Sequence, residues 1–383
     1  MQFTRKLIIY GTIQNFYVNI FLTHRRSCAI VLTRPDQTRP DQTAIHVRNS
    51  SLELLRIVAM LMIVAHHFSV HGGFSFSADS ITINRLWQQF IFMGGSLGND
   101  IFVLISGYFL VNSSGINYRR MFNLWLRIFF YAVVFYGLFV YAGIEVFSLK
   151  TMLKVMMPIT KNGIGLWFAG AYFILYLIHP YINVMIKAMS REECTKFVTA
   201  LVIYWCIIPT LTKSSFGANN TINFICLYCF AAYIRLWASD FSGKKYIWLG
   251  ILFIILNFMS IIVLDIVSIN IKPNSGTYFI GMMRPATLCA CICLLAGFRA
   301  LDIPHSKIIN LLASATFGVY LIHDNNFVRP FLWHTVFKNA SFQESPYLIP
   351  YSIAVILTVY VSCTVIELIR AKLFKLLSGG RLS

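Results

Sequence analysis

The sequence predicts an all-α fold, a polytopic bundle of about ten transmembrane helices. Hydrophobic residues make up 57% of the 383 residues and charged residues only 12%, whereas soluble domains contain about 25% charged residues. Apolar stretches long enough to cross a bilayer recur from residue 52 onward. The formal net charge of +18 is spread over the loops between those stretches. This pattern favours a membrane protein and predicts no nucleic-acid partner.

Ten apolar stretches define the predicted spans. They cover residues 52–71, 88–111, 121–143, 165–187, 195–212, 220–238, 246–268, 277–299, 306–334 and 347–370. Lys and Arg are about twice as frequent in the loops on one side of these spans as on the other. Because basic loops stay in the cytoplasm, this asymmetry predicts that both termini are cytoplasmic.

The first 47 residues do not match the rest of the chain. Polar residues interrupt their apolar stretch, and RPDQT is repeated directly over Arg34–Thr43. A signal peptide would need an unbroken apolar core, so we predict a disordered or interfacial extension, with an eleventh span as the alternative. The predicted membrane domain then covers residues 48–376, and residues 377–383 form a cytoplasmic tail.

The cysteines predict no metal site. Most of the nine lie inside apolar stretches, for example Cys289, Cys291 and Cys293. Their spacing scatters them around a helix, and no His or carboxylate stands nearby at the spacing of metal ligands. We therefore interpret them as small buried hydrophobic residues and expect no metal cofactor.

The most informative stretch is the first predicted span, SLELLRIVAMLMIVAHHF, at Ser51–Phe68. Three helical turns bring Arg56 and His67 to within roughly 20° of one face, about 16 Å apart along the axis. An Arg at the centre of a membrane helix costs on the order of 2.5 to 3.5 kcal/mol, so such residues usually face the interior of a bundle. The spacing predicts a functional site there, although the adjacent His66 is a second candidate base.

The predicted topology sorts the intramembrane polar residues into two layers. The inner layer is cationic, consists of Arg56, Arg119, Arg120 and Arg127, and suits a cytosolic molecule that carries phosphates. The outer layer suits proton transfer and consists of His66 or His67 with Asp100, His323 and Asp324. A reaction between a cytosolic anionic donor and an acceptor from the other side needs both layers.

Several motifs resemble those of the membrane acyltransferase-3 family, which O-acylates cell-surface glycans, usually from acetyl-coenzyme A. The resemblance extends over residues 50–370. It is carried by R-x10-H at Arg56–His67, GNDIFVLISGYFL at Gly98–Leu110, the basic segment from Tyr118-Arg119-Arg120 to Arg127, GLWF at Gly165–Phe168 with Tyr176 and Pro180, and TFGVYLIH at Thr316–His323. The basic segment departs from the family pattern, because it ends Arg127-Ile128-Phe129 without the usual Tyr-Pro.

The resemblance implies the roles of these residues. Arg56 with the basic segment would bind the phosphates of acetyl-CoA, and His67 would take the proton of the acceptor hydroxyl. Asp100 or Asp324 would orient a histidine. The implied acceptor is a surface polysaccharide or lipid-linked glycan, and the implied location is a bacterial plasma (inner) membrane. A transporter or flippase of lipid-linked glycans is the alternative, although the sequence lacks the half-to-half repeat that would favour it.

Overall fold

The computed structural model describes residues 49–77, 80–113, 115–156, 166–214, 219–268 and 276–377. The predicted N-terminal extension, Gly165 of the GLWF motif, and residues 378–383 of the predicted tail lie outside these ranges. Within them the chain forms helices joined by loops, with no strand. The prediction of an all-α helical bundle is confirmed.

The helices are numbered in chain order. They are α1 (Ser50–His71), α2 (Ile83–Phe92), α3 (Gly94–Leu110), α4 (Tyr118–Tyr141), α5 (Leu149–Met156), α6 (Trp167–Ala188), α7 (Arg191–Thr212), α8 (Asn220–Trp237), α9 (Lys245–Ser268), α10 (Pro285–Arg299), α11 (Lys307–His323) and α12 (Leu348–Leu377). Helix α7 contains a π-helical turn at Ile203–Ile207, and a second π-helical turn, Phe331–Val336, lies between α11 and α12.

Seven helical segments in the described part of the chain are long and apolar enough to cross a membrane. They are α1, the segment Ile83–Leu110 formed by α2 and α3, α4, α6, α7, residues Lys245–Val267 of α9, and α12. Each remaining predicted stretch also contains a helix, but α8, α10 and α11 have only 18, 15 and 17 residues. Helix α10 begins late because Pro285 forces Arg284 into an extended conformation.

Helix α1 lies at the centre of the bundle and packs against α2, α3, α10, α11 and α12. Its close contact with α3 depends on glycines. A Cβ atom at Gly94 or Gly98 would overlap a backbone carbonyl oxygen of α1, that of Met62 or Ala59 respectively. Small residues at such crossings let membrane helices approach closely. By contrast, α9 leaves many large apolar side chains exposed, as expected of a surface that faces lipid.

Helices α1 and α11 run parallel and in register. Near their first turns the Ser306 amide donates to the Ser50 hydroxyl at 2.9 Å. Near their last turns Nδ1 of His67 lies 2.8 Å from Nε2 of His323. Both pairs are separated by 256 residues in the sequence. The register fixed by Ser306, which also caps α11 through its side chain, therefore brings the two histidines together.

Candidate active site

The first part of the site is the pair His67 and His323, buried at the ends of α1 and α11. Nδ1 of His67 lies 2.8 Å from Nε2 of His323, and Nδ1 of His323 lies 2.6 Å from the carbonyl oxygen of Val319. The ring centroids of the two histidines are 5.0 Å apart. The two imidazole rings and the Val319 carbonyl group thus form one continuous chain of hydrogen bonds.

This chain determines where the protons lie on the neutral rings. A carbonyl oxygen can only accept, so Nδ1 of His323 carries a hydrogen and donates it to Val319. Nε2 of His323 is then an acceptor, and Nδ1 of His67 must be the donor to it. Nε2 of His67 is left without a proton. Its lone pair is therefore available as a base.

A carboxylate lies beside this pair. Oδ1 of Asp324, the residue that follows α11, is 3.8 Å from Nδ1 of His67 and 3.8 Å from Nε2 of His71. Nε of Arg329 is 3.5 Å from the same oxygen. Asp324 is the carboxylate that can stabilise positive charge on His67. We call these five residues, His67, His71, His323, Asp324 and Arg329, the histidine cluster.

By distance alone His67, His71 and Asp324 could hold a metal ion, since their ligand atoms lie within 4.8 Å of one another. However, a guanidinium nitrogen of Arg329 donates to Nε2 of His71 at 3.2 Å. That nitrogen is the one a metal would need, and the guanidinium would repel a cation. The geometry fits an ion pair better than a metal site.

The other two predicted catalytic residues have different surroundings. Nδ1 of His66 lies 2.7 Å from the carbonyl oxygen of Phe92, where α2 gives way to α3, and a Cβ at Gly95 would overlap the His66 ring. Asp100 is fully buried near Cys291 and the backbone amide of Met283. In the described part of the chain, no hydrogen bond or ion pair joins Asp100 to a histidine.

The second part of the site is a cavity of about 740 Å³ at the end of the bundle where α1 and α11 begin. Five arginines line it: Arg56, Arg119, Arg120, Arg127 and Arg370. The rest of its wall is largely aromatic and polar, including Phe102, Asn117, Asn123, Phe168, Tyr172, Thr316, Phe317 and Phe374. All four arginines of the predicted inner layer thus face one space, which we call the cationic cavity.

The arginines differ in how they are held. The Arg56 guanidinium donates to Glu53 at 2.6 Å, one turn earlier on α1. Arg119 and Arg120 are exposed at the start of α4, and the described residues offer neither an ion pair. The cavity therefore combines a cationic group held by a carboxylate with exposed cationic groups, an arrangement suited to an extended polyanion.

The cationic cavity and the histidine cluster are separate. His67 does not line the cavity. The Phe168 and Phe317 rings, which do, lie 5.6 and 6.2 Å from the ring of Tyr320, one turn before His323 on α11. Helix α1 joins the two parts, because it carries Arg56 at one level and His67 three turns further on.

Sequence reasoning assigned no function to Arg329, His71, Glu367 and Arg370. Arg329 lies after the end of α11, so only the turn of the chain at Asp324 brings it back to the histidines. Glu367 and Arg370 had a usable pattern. An acidic residue inside an apolar helix, with an arginine three residues later, is unusual in a membrane span and suggests a function.

Comparison with known proteins gives one match to a protein family. The family model described as an acyltransferase domain matches residues 49–367, which include the whole histidine cluster and, of the five arginines that line the cavity, all except Arg370. Searches among curated proteins and among solved structures found no match.

Proposed function

The chain belongs to the acyltransferase-3 family, and we propose that it is an O-acyltransferase of cell-surface glycans. Family membership indicates acyltransferase activity, and the apolar helices of the chain indicate a multi-pass membrane protein. Beyond this, we infer that the transferred group is acetyl, that the donor is cytosolic acetyl-CoA, and that the acceptor is a hydroxyl of a polysaccharide or glycolipid precursor. The proposed location is a bacterial inner membrane, with both termini cytoplasmic.

One observation carries the proposal: α1 presents a cation to the cationic cavity and, three turns away, a base to the histidine cluster. The two positions are about 16 Å apart along the helix. Acyl-CoA has the matching layout, with phosphates at one end and a thioester at the end of a long flexible arm. We infer that the arm passes the aromatic rings of Phe102 and Phe168.

The donor would bind by charge. The phosphate on the adenosine ribose and the pyrophosphate of acyl-CoA supply several negative charges, and five guanidinium groups line the cavity. Charge-assisted hydrogen bonds between arginine and phosphate are roughly twice as strong as neutral ones. Because Arg56 and Arg127 are held by carboxylates while Arg119 and Arg120 are exposed, we expect the first two to define the position of the ligand.

The chemistry would centre on Nε2 of His67. This lone pair takes the proton of the acceptor hydroxyl as its oxygen attacks the thioester carbonyl carbon. The carbon–sulfur bond then breaks, the sulfur leaves as the coenzyme thiolate, and His67 returns the proton to it. During the attack His67 is positively charged, and both Nε2 of His323 and the carboxylate of Asp324 stabilise that charge.

The decisive experiment is His67→Ala in a cell that displays the glycan, with the acetyl content of the surface glycan as the measurement. We expect acetylation to fall to background while the protein remains in the membrane. His305→Ala serves as the matched control, because His305 is exposed in the loop before α11. Normal acetylation by the His67 variant would refute the mechanism. Loss of glycan export, with normal acetylation of the glycan that remains inside, would favour a transporter.

A further inference from the structure

A buried carboxylate stands behind the cationic cavity. Glu367, on α12, is buried, and each polar group that contacts it among the described residues is a donor or a cation. Arg370 donates to it twice, from Nε to Oε2 at 2.8 Å and from a terminal nitrogen to Oε1 at 2.7 Å. The Tyr131 hydroxyl donates to Oε2 at 2.6 Å, and Nε of Arg127 lies 3.6 Å from Oε1. An ionised carboxylate satisfies all of these partners.

The surrounding helices hold this group in place. Arg127 and Tyr131 are four residues apart on α4 and so share one face of the helix. The Arg370 guanidinium lies over the ring of Phe374, 5.1 Å from its centroid. On α11, a Cβ at Gly318 would overlap the Glu367 carboxyl group. Three helices therefore converge on one carboxylate.

The charges do not cancel. Two guanidinium groups share a single carboxylate, so the group keeps one positive charge, and both arginines line the cavity. A carboxylate buried without partners would be strongly destabilising, and two arginines without a counter-charge would repel each other. The carboxylate thus makes it possible to hold two guanidinium groups side by side, with their remaining N–H groups free to meet an anion.

We propose that Glu367 is a positioning residue that holds Arg127 and Arg370 as a paired site for a phosphate group of the donor. The inference rests on the proposed function and adds Arg370 and Glu367 to the donor site. Arginine pairs recognise phosphate through parallel N–H donors, and the geometry of the pair decides how well they do so.

The test is Glu367→Gln, assayed with two donors in the full-length protein in lipid nanodiscs. Acetyl-CoA carries phosphates and acetyl-pantetheine carries none. We expect the KM for acetyl-CoA to rise about tenfold with kcat nearly unchanged, and kcat/KM for acetyl-pantetheine to stay the same. Equal losses with both donors in a variant that is still folded in the nanodisc would overturn the proposal, because a phosphate site cannot act on a donor that carries no phosphate. Glu145→Gln, an exposed glutamate beyond the end of α4, is the matched control.

Two further measurements separate this inference from the proposed function. Arg370→Gln leaves Glu367 paired with Arg127 and Tyr131, so this variant tests the site even if Glu367→Gln does not fold. It should raise the KM for acetyl-CoA and leave the KM for acetyl-pantetheine unchanged. Binding of free CoA, measured by calorimetry, needs no catalysis. A wild-type protein that binds CoA but transfers no acetyl group would refute the proposed function, whereas CoA binding unchanged in both variants would refute the positioning role.

Discussion

The cationic cavity and the histidine cluster are built on opposite physical plans, although α1 contributes to both. The cavity is a space of about 740 Å³ surrounded by five arginines of one charge. In the histidine cluster, His67, His323 and Asp324 are buried, and the two histidines are fixed by hydrogen bonds of 2.8 and 2.6 Å. In the cavity, several arginines contribute to the same electrostatic attraction for an anion. In the cluster, one lone pair depends on the orientation of two rings.

This difference predicts how each region responds to mutation. Removing one of several cations weakens an electrostatic attraction by a fraction, because the others remain. Removing a link in a hydrogen-bond chain changes which nitrogen carries the proton. Variants of the cluster should therefore act mainly on kcat, and variants of the cavity mainly on the KM for the donor.

After His67 itself, the largest effect is expected for His323→Ala. Without Nε2 of His323 as acceptor, the proton on Nδ1 of His67 can move to Nε2 of His67. Because that nitrogen has to act as the base, kcat should fall about 100-fold. The measurement is steady-state acetyl transfer in nanodiscs. His323→Gln offers a carbonyl oxygen as acceptor and should recover part of the loss. A donor KM that rises while kcat stays normal would break the distinction between the two regions.

Asp324→Asn should have the next largest effect and sharpens the description of the cluster. Asp324 lies 3.8 Å from Nδ1 of His67, and loss of its charge removes stabilisation of the imidazolium, so we expect kcat to fall by about tenfold. Asp100→Asn is the matched comparison, since its carboxyl group lies near Met283 and Cys291. If Asp100→Asn lowered kcat more than Asp324→Asn, the roles assigned to the two carboxylates would be reversed.

Arg56→Gln tests the cavity. The Arg56 guanidinium is oriented by Glu53 at 2.6 Å, and loss of one charge-assisted hydrogen bond to a phosphate should raise the KM for acetyl-CoA about tenfold. The value of kcat should change by less than about twofold. Initial rates over a range of donor concentrations give both constants. A fall in kcat alone would place Arg56 in the chemical step instead of in donor binding.

The smallest effect is expected for Arg119→Gln. Arg119 is exposed at the start of α4, and exposed charges interact weakly because solvent and salt screen them. The KM for acetyl-CoA should rise about twofold in low salt and by less as ionic strength increases. The comparison with Arg56→Gln over the same salt series is the control. A salt-independent effect of tenfold or more would mean that Arg119 holds the donor as firmly as Arg56.

Much of the fold could be predicted from the sequence, because apolar length is the main determinant of membrane helices. The all-α class and the membership of the acyltransferase-3 family are both confirmed. Periodicity also predicted that Arg56 and His67 share a face of α1. The ends of the helices were less predictable, since Pro285 and the cap at Asp324 shortened two expected spans.

Parts of the candidate site were beyond sequence reasoning for a physical reason. Which carboxylate faces a histidine depends on the rotation of α3 and on a turn after α11, and neither has a periodic pattern. His66 and His67 lie about 100° apart around α1. The two side chains must therefore have different surroundings, but the angle does not show which of them faces the site. The sharing of Glu367 by two arginines required the packing of α4 against α12, a contact between distant parts of the chain.

The common register of α1 and α11 has a consequence for how this chain can change length. The hydrogen bond between Ser306 and Ser50 aligns the starts of the two helices, and His67 and His323 follow the same number of residues later on each helix. One residue inserted in either helix between its serine and its histidine would turn the imidazole by about 100° around the helix and shift it by about 1.5 Å along the axis. Substitutions in these two segments keep the histidines in register, whereas a one-residue insertion or deletion in one of them would separate the pair.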